Sequence, residues 1–234
     1  IDTPDNAQLS LFDDDKTAER YGKYALIIWE LQKKLAQLIK ENDQESLFYN
    51  VEMPLIDVLA SMEIYGFMLD TDEINRFGKM LSERSDQTAQ RIYTEAGEEF
   101  NINSPKQLGE ILFGKLGMKG GKKTKTGYST KAEILEKLRN DNPIVQDVLD
   151  YRTYSKLKST YCDGLVSLVD PDTHRIHSIF NQTGTVTGRL SSSEPNMQNI
   201  PTRTELGREL RKMFVAEEGY MLIDADYSQI ELRI

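Results

Sequence analysis

Apolar residues set the first rhythm of this chain. Tyr24, Ile27, Ile28, Leu31, Leu35 and Leu38 recur at three- and four-residue steps, the period of one helix face. Lys16, Lys23, Glu30, Lys33 and Lys34 fall mostly between them, so the spacing predicts a helix over about 16–42. Trp29 and the aliphatics around it are expected in a core. The first fifteen residues, with Asp13-Asp14-Asp15, read as an exposed loop. After Asn42-Asp43-Gln44 a second helix is expected over about 52–66, ended by Gly66. Thr71 or Asp72 then caps a long helix to about Gly97. Ser104 caps another, with Pro105 in its first turn, stopping near Gly114. Thr130 starts a short helix, and Asn142-Pro143 a longer one to about Tyr161.

Beyond Asp170-Pro171-Asp172 the period changes from helical to alternating. Ile176, Ser178 and Phe180 alternate with His177, Ile179 and Asn181, which predicts a strand. A helix over Arg203–Met213 follows, and then Tyr220–Asp226, an apolar strand running into two acids. Residues 117–129 are rich in glycine and lysine and predict a flexible basic loop. No internal repeat is present. Helices first and mixed strands and helices later make the expected fold class α+β.

Composition narrows the class further. The 234 residues suffice for one large or two modest domains, with 38% hydrophobic and 29% charged residues, as in folded soluble proteins. No run approaches the roughly 18 apolar residues of a membrane span. The single Cys162 excludes an internal disulfide framework and a cysteine-rich zinc site, and a cytoplasmic location is expected. The absence of an initiator Met and of a leader predicts an excised piece. Net charge is −9, but unevenly spread: residues 1–100 hold 10 Lys/Arg against 21 Asp/Glu, and the remainder 19 against 17. Within 104–131, seven lysines face only Glu110. Local sign decides where a polyanion can sit, so the second half is the candidate partner surface.

The candidate chemistry lies at the end, in Asp224-Ala225-Asp226-Tyr227-Ser228-Gln229-Ile230-Glu231-Leu232-Arg233. On a strand Asp224 and Asp226 share a face, and carboxylates there are costly without a partner. Mg²⁺, which takes carboxylate and phosphate oxygens, is one such partner. Capping of a following helix at Ser228 is the other reading, and spacing alone leaves both open. His174 and His177 stand three apart, but no cysteine or suitably spaced acid completes a metal set. His177 reads as a strand residue and His174 as surface.

Asp226–Arg233 resembles, residue for residue, the first palm motif of family A DNA polymerases. Thr187-Gly188-Arg189-Leu190-Ser191-Ser192 and Pro195-Asn196-Met197-Gln198-Asn199-Ile200-Pro201 resemble the family's strand and loop at the primer end. Lys156-Leu157-Lys158-Ser159-Thr160-Tyr161 and Asn101-Ile102-Asn103-Ser104 resemble its thumb. The similarity covers roughly 50–234. It implies DNA-templated addition of dNTPs to a primer 3′-end by two-metal phosphoryl transfer, serving replication and repair gap filling. The implied partners are primer-template duplex DNA and dNTP, with no membrane, the full enzyme being a monomer. The implied cofactor is Mg²⁺, two ions in the complete enzyme. Asp226 would ligate both, the backbone carbonyl of Tyr227 would complete one shell, and Glu231 would exclude a 2′-hydroxyl. Asp224 stands where the family often carries a non-acidic residue and is not assigned to metal.

The resemblance also distributes DNA contacts. Arg189 and Asn199, with Gln198, would read the minor groove at the primer terminus, where purine N3 and pyrimidine O2 test pair shape. Arg203, Lys156, Lys158, Ser159 and Thr160 would hold phosphates. Asn101, Asn103 and the loop residues Lys123, Lys125, Ser129 and Thr130 would grip the duplex behind the primer end. Each also has an ordinary role open to it, such as a solvated helix face for Lys156 and Lys158 or a cap at Asn103-Ser104. The implied organisation is an exonuclease-like tail over 1–50, a first polymerase-domain helix over 51–68, a thumb over 69–163 and the start of a palm over 164–234. In Tyr21-Gly22-Lys23-Tyr24-Ala25 an alanine occupies the place of an exonuclease acid, which predicts a parent without proofreading. The family's fingers and second palm acid do not occur in these residues, so the chain by itself is expected to be inactive. The rivals are a duplex-binding module without catalysis and a relative of single-subunit RNA polymerases, the latter opposed by Glu231.

Overall fold

A computed structural model describes residues 14–124 and 127–233. The chain divides into two units, residues 1–61 and 62–234. The expected N-terminal loop falls, for residues 1–13, outside the described residues.

The first unit holds helix α1 (Asp14–Glu41), matching the apolar period, then α2 (Glu45–Leu47), a π-helical turn Phe48–Glu52 and most of α3 (Met53–Tyr65). The core expected around Trp29 is not formed. Trp29 is 66% exposed, and Tyr24, Ile27, Ile28, Leu31, Leu35 and Leu38 are open as well. An apolar stripe is buried only by a second layer, and the described elements of this unit provide none along α1.

The second unit is organised by α4 (Thr71–Ala96) and α7 (Pro143–Lys156). Asp70, one residue ahead of the expected cap, is extended (φ −74, ψ 94), and its carboxylate accepts the Glu73 N–H at 2.9 Å. Thr71 already has helical geometry, so its side chain cannot serve the first-turn donors as Asp70 does. Gly97 closes α4 in the left-handed region at φ 73. Asn142 caps α7 through the Ile144 N–H at 3.1 Å. Arg91 meets Asp147 at 2.6 Å and Ser85 meets Ser155 at 3.2 Å, so positions rise on one helix as they fall on the other and the pair is antiparallel.

Two cores lie along this pair. Near the start of α4, Ile74, Phe77 and Leu81 pack with Leu157, Tyr161, Cys162 and Leu165, and with Ile176, Ile200, Leu210 and Met213. Leu157–Asp163 is π-helical and Gly164–Val166 is α8, so the helix expected to end near Tyr161 runs on in altered form. Gly78 allows the close crossing there: a Cβ at 78 would lie 3.2 Å from that of Cys162. Near the end of α4, Ile92 and Ala96 pack with Ile144, Val145 and Val148. α5 (Pro105–Gly109), the π-helical turn Glu110–Lys115 and α6 (Ala132–Lys137) cover them with Leu108, Leu112 and Leu135. Ser104 caps α5 as expected.

Several expectations are corrected. The basic stretch 117–129 is not wholly a loop: β2 (Lys123–Thr124) pairs with β3 (Gly127–Tyr128). Tyr128 anchors it with its ring 5.0 Å from Phe113, and Gly109 admits its backbone. The short helix begins at Ala132 rather than Thr130, which is only 4% exposed and bonded to Arg152. The strand expected over 176–180 is two. β4 (Arg175–Ile176) pairs with β1 (Phe67–Met68), and β5 (Ile179–Asn181) with β6 (Ser191–Ser193), all antiparallel. Between them buried Ser178 reaches the Pro195 carbonyl at 2.7 Å, a bond outside any ladder. The C-terminal helix is shorter than Arg203–Met213: α9 spans Glu205–Arg211 with Thr204 as cap. Tyr220–Asp226 forms no strand and is exposed throughout. An extended segment becomes a strand only with a neighbour for its N–H and C=O groups, and no described strand lies beside it. The small antiparallel sheets and dominant helices keep the α+β class.

Asp70→Ala is expected to lower unfolding free energy by about 1 kcal/mol, with Thr71→Ala costing less, in urea denaturation; equal losses would contradict the cap. Burial, then the Asp163 charge, pushes the Cys162 thiol up from its ordinary 9.0 to about 11. Above pH 9 the unfolded thiol ionises while the folded one stays protonated, so this group lowers stability as pH climbs from about 9 toward 11. A thiol-exchange reagent at pH 8 should label Cys162 only on unfolding; rapid labelling of the native chain would contradict its burial.

Candidate nucleic-acid interface

The predicted contact residues fall into separate groups, and one group converges. α7 ends at Lys156, which is exposed, and passes into the π-helical stretch. There Leu157, Tyr161 and Cys162 turn into the core while Ser159 and Thr160 stay exposed. A π-helical insertion shifts the register of a face, which is a common way to re-aim side chains at a site. The buried Tyr161 hydroxyl donates to the backbone carbonyl of Asn199. That bond ties the helix to the 3-10 turn Met197–Asn199.

The turn is built by local polar bonds. The Asn196 side chain accepts the Gln198 N–H, and the Ser192 hydroxyl accepts the Met197 N–H, each at 3.0 Å. The Gln198 amide donates to the Leu190 carbonyl at 3.0 Å, joining the turn to the end of the β5–β6 connection. Between helix and turn lies a groove of about 420 Å³ lined by Lys156, Thr160, Tyr161, Leu165, Pro195, Asn196 and Asn199. Three predicted residues, Lys156, Thr160 and Asn199, therefore share one concave surface although 43 positions separate the first from the last.

Other predicted residues lie elsewhere. Arg189 is exposed in the β5–β6 connection, just after Gly188 at φ 74, and its carbonyl accepts the Thr185 hydroxyl at 2.7 Å. Lys158 is ion-paired with Asp163 at 2.6 Å, which offsets part of its charge. Arg203 is exposed ahead of α9. Asn101 and Asn103 form a turn in which the Asn101 carbonyl oxygen of the side chain accepts the Asn103 N–H at 3.0 Å. Lys123 lies in β2, Lys125 lies outside the described residues, and the Ser129 N–H donates to the Lys122 carbonyl at 2.9 Å. The Thr130 hydroxyl is buried and accepts from Arg152, whose pKa burial lowers. Asn101 and Asn103 flank Ile102, and Ser129 follows Tyr128, both part of the core at the far end of α4 or packed on it, α4 being about 39 Å long by its residue count.

The acidic motif is the least enclosed part. Asp224, Asp226 and Tyr227 are exposed, and Glu231 lies in the 3-10 turn Ile230–Leu232. Asp224 joins Phe67, Met197, Ile200, Arg211, Phe214, Leu222 and Ile223 around a second groove of about 380 Å³, which Asp226 does not line. No group of three potential metal ligands occurs among the described residues. Among the described residues Asp226 and the Tyr227 carbonyl therefore supply only part of a donor set.

Sequence reasoning overlooked Tyr161, Ser192 and Asn196 as the residues that shape the groove. Asn196 stood in the quoted motif and bore a cap signature, an Asn opening a short turn. Tyr161 closed a quoted motif at the expected end of a helix, with no role assigned to its hydroxyl.

The model of DNA polymerase family A matches residues 71–234. DNA polymerase I of Bacillus subtilis (strain 168) is 50% identical over 222 residues, covering 94% of this chain and 25% of that protein. DNA polymerase I of Geobacillus stearothermophilus is 48% identical over 229 residues, covering 97% and 26%. The chain thus spans about a quarter of these curated relatives. Among solved structures, the POL domain of Pol1 from M. smegmatis, in complex with DNA primer-template and dNTP, superposes with a TM-score of 0.80. It is 42% identical, over 88% of this chain and 36% of that one.

Proposed function

This chain belongs to DNA polymerase family A, and from that premise we propose that it is the thumb and first palm portion of an enzyme that adds dNTPs to a primer 3′-end under template direction. The family consists of nucleotidyltransferases that work with divalent metal ions. In this reading residues 69–163 form the thumb and 164–234 the opening of the palm, preceded by an exonuclease-like tail over 1–50 and a linking helix over 51–68. The protein acts in the cytoplasm as a monomer on primer-template duplex DNA, in replication and repair.

The observation that carries the reading is the shared groove of Lys156, Thr160 and Asn199. A cation and a hydroxyl on one wall suit phosphate oxygens, and an amide on the other suits base-edge acceptors. Arg189 stands on the connection that Gln198 fastens to this turn. Such a wall reads the shape of a base pair without selecting a sequence. Arg203, Lys158 and Ser159 add phosphate contacts. Asn101, Asn103, Lys123, Lys125, Ser129 and Thr130 belong to the segment that follows the duplex away from the primer end, Thr130 by holding Arg152.

Asp226 and the Tyr227 carbonyl are proposed ligands of Mg²⁺, and Glu231 the residue that excludes a 2′-hydroxyl. The donor set is incomplete in the described residues, so no chemical step is assigned to this chain alone. That same incompleteness favours, for the isolated chain, the second reading: a module that holds duplex DNA without acting on it.

The full-length protein should extend a primed template with dNTPs, while the isolated chain extends none. Incorporation by the isolated chain, or none by the full-length protein, would contradict the assignment. Lys156→Ala in the full-length protein should weaken primer-template binding at every sequence alike and lower the slope of log affinity against log salt by about 0.9. An unchanged slope in a fluorescence-anisotropy titration would remove Lys156 from the phosphate contacts.

A further inference from the structure

The β5–β6 pair and the turn after it form one polar-bonded body. Register pairs Ile179 with Ser193, Phe180 with Ser192 and Asn181 with Ser191. The Ser178 hydroxyl donates to the Pro195 carbonyl, and the Asn181 amide to the Ser193 hydroxyl at 3.3 Å. Gln198 closes the body onto Leu190. Arg189 and Asn199 both ride on it. With only three residues in each strand, these bonds fix its shape but not its place beside the helices.

Its other edge is held by Glu63. The Glu63 Oε1 accepts the backbone N–H of Phe180 at 2.6 Å, taking the position that a neighbouring strand's carbonyl would occupy. Being charge-assisted, this is among the stronger kinds of hydrogen bond. The backbone carbonyl of Glu63 accepts from His177 Nδ1 at 2.8 Å, which places the proton of that ring on Nδ1. Glu63 thus grips both sides of the break between β4 and β5 with its main chain and its side chain. The close approach is permitted by Gly66, at φ +65, where an added Cβ would lie 2.7 Å from the Ile176 carbonyl and 2.9 Å from His177 Nδ1. The acid is half-buried, on the last turns of α3, and contributes nothing to the groove lining.

We propose that Glu63 is a positioning residue for primer-template binding: the Tyr161 hydroxyl already holds Asn199 beside the helix, and the Glu63 carboxylate pins the Phe180 amide at the strand edge and so sets where Arg189 stands relative to Lys156 and Thr160. This rests on the duplex-binding function proposed above. Loss of the carboxylate frees the strand edge, and the connection carrying Arg189 starts two residues after Phe180. The effect therefore falls on the primer-template and not on the nucleotide.

The test uses the full-length protein with Glu63→Ala and Glu63→Gln. Glu63→Ala should weaken binding of a primed duplex roughly tenfold, the worth of one charge-assisted bond, with KM for dNTP unchanged. Glu63→Gln retains an acceptor oxygen and should recover most of the affinity. Amide exchange at Phe180 should speed up in Glu63→Ala and be largely restored in Glu63→Gln. Unchanged duplex affinity in a folded Glu63→Ala protein, even with lowered thermal stability, would overturn the proposal. So would tighter binding in both variants, the signature of a carboxylate that merely repels phosphate. Failure of the unsubstituted protein to bind primed duplex would instead strike the proposed function itself, and the positioning role with it.

Discussion

The antiparallel packing of α4 against α7 is the constraint on which the rest depends. Both helices serve two cores, one at each end of their contact, and nearly every buried large side chain of the second unit touches one core or the other. A helix pair of this length separates the two groups of proposed contact residues while keeping them in fixed register. The close crossing at Gly78 and Cys162 locks one end, and the Arg91–Asp147 ion pair marks the other. Burial of the dozen fully enclosed aliphatics, at about 25 cal/mol per Å², far outweighs the exposed ion pairs, most of which are worth little.

From that frame the groove follows. The α7 axis continues as a π-helical stretch whose inward side chains still fill the core, so its outward ones are re-aimed without loss of packing. Tyr161 belongs to both worlds: its ring is core and its hydroxyl holds the Asn199 backbone. The chain's net negative charge does not oppose a polyanion here. The net negative charge comes from the first hundred residues, the remainder holding 19 Lys/Arg against 17 Asp/Glu, and screening over roughly 10 Å at 0.1 M salt leaves the local cations to decide.

Much of this was legible in the sequence, for physical reasons. Helices announced by strong periodicity, such as α1 and α4, stand within a few residues of their expected bounds, and α5 and α7 start where their caps put them but end about five residues early, passing into π-helical turns. The four larger errors share a cause: each depended on a partner distant in sequence. Ile27, Ile28, Leu31 and Leu35 form a convincing apolar stripe beside Trp29, but whether it is buried depends on what lies against it. Residues 176–180 alternate like one strand, yet Ser178 bonds to a carbonyl seventeen positions away and the ladder splits. Tyr220–Asp226 has strand composition and no neighbour to pair with. The basic stretch gains a hairpin because Tyr128 finds Phe113. For the site, motif words located Lys156, Thr160 and Asn199, while the residues that bring them together, Tyr161, Ser192 and Glu63, carried no local mark of that role.

The central claim is that the groove between the π-helical stretch and the Asn196–Asn199 turn receives primed duplex DNA. Backbone hydrogen exchange of the isolated chain, with and without a primer-template duplex, tests it most directly. Added protection at residues 156–160 and 189–199 is the result the account predicts. Protection confined to the lysine-rich stretch 117–129, or none at all, would contradict it.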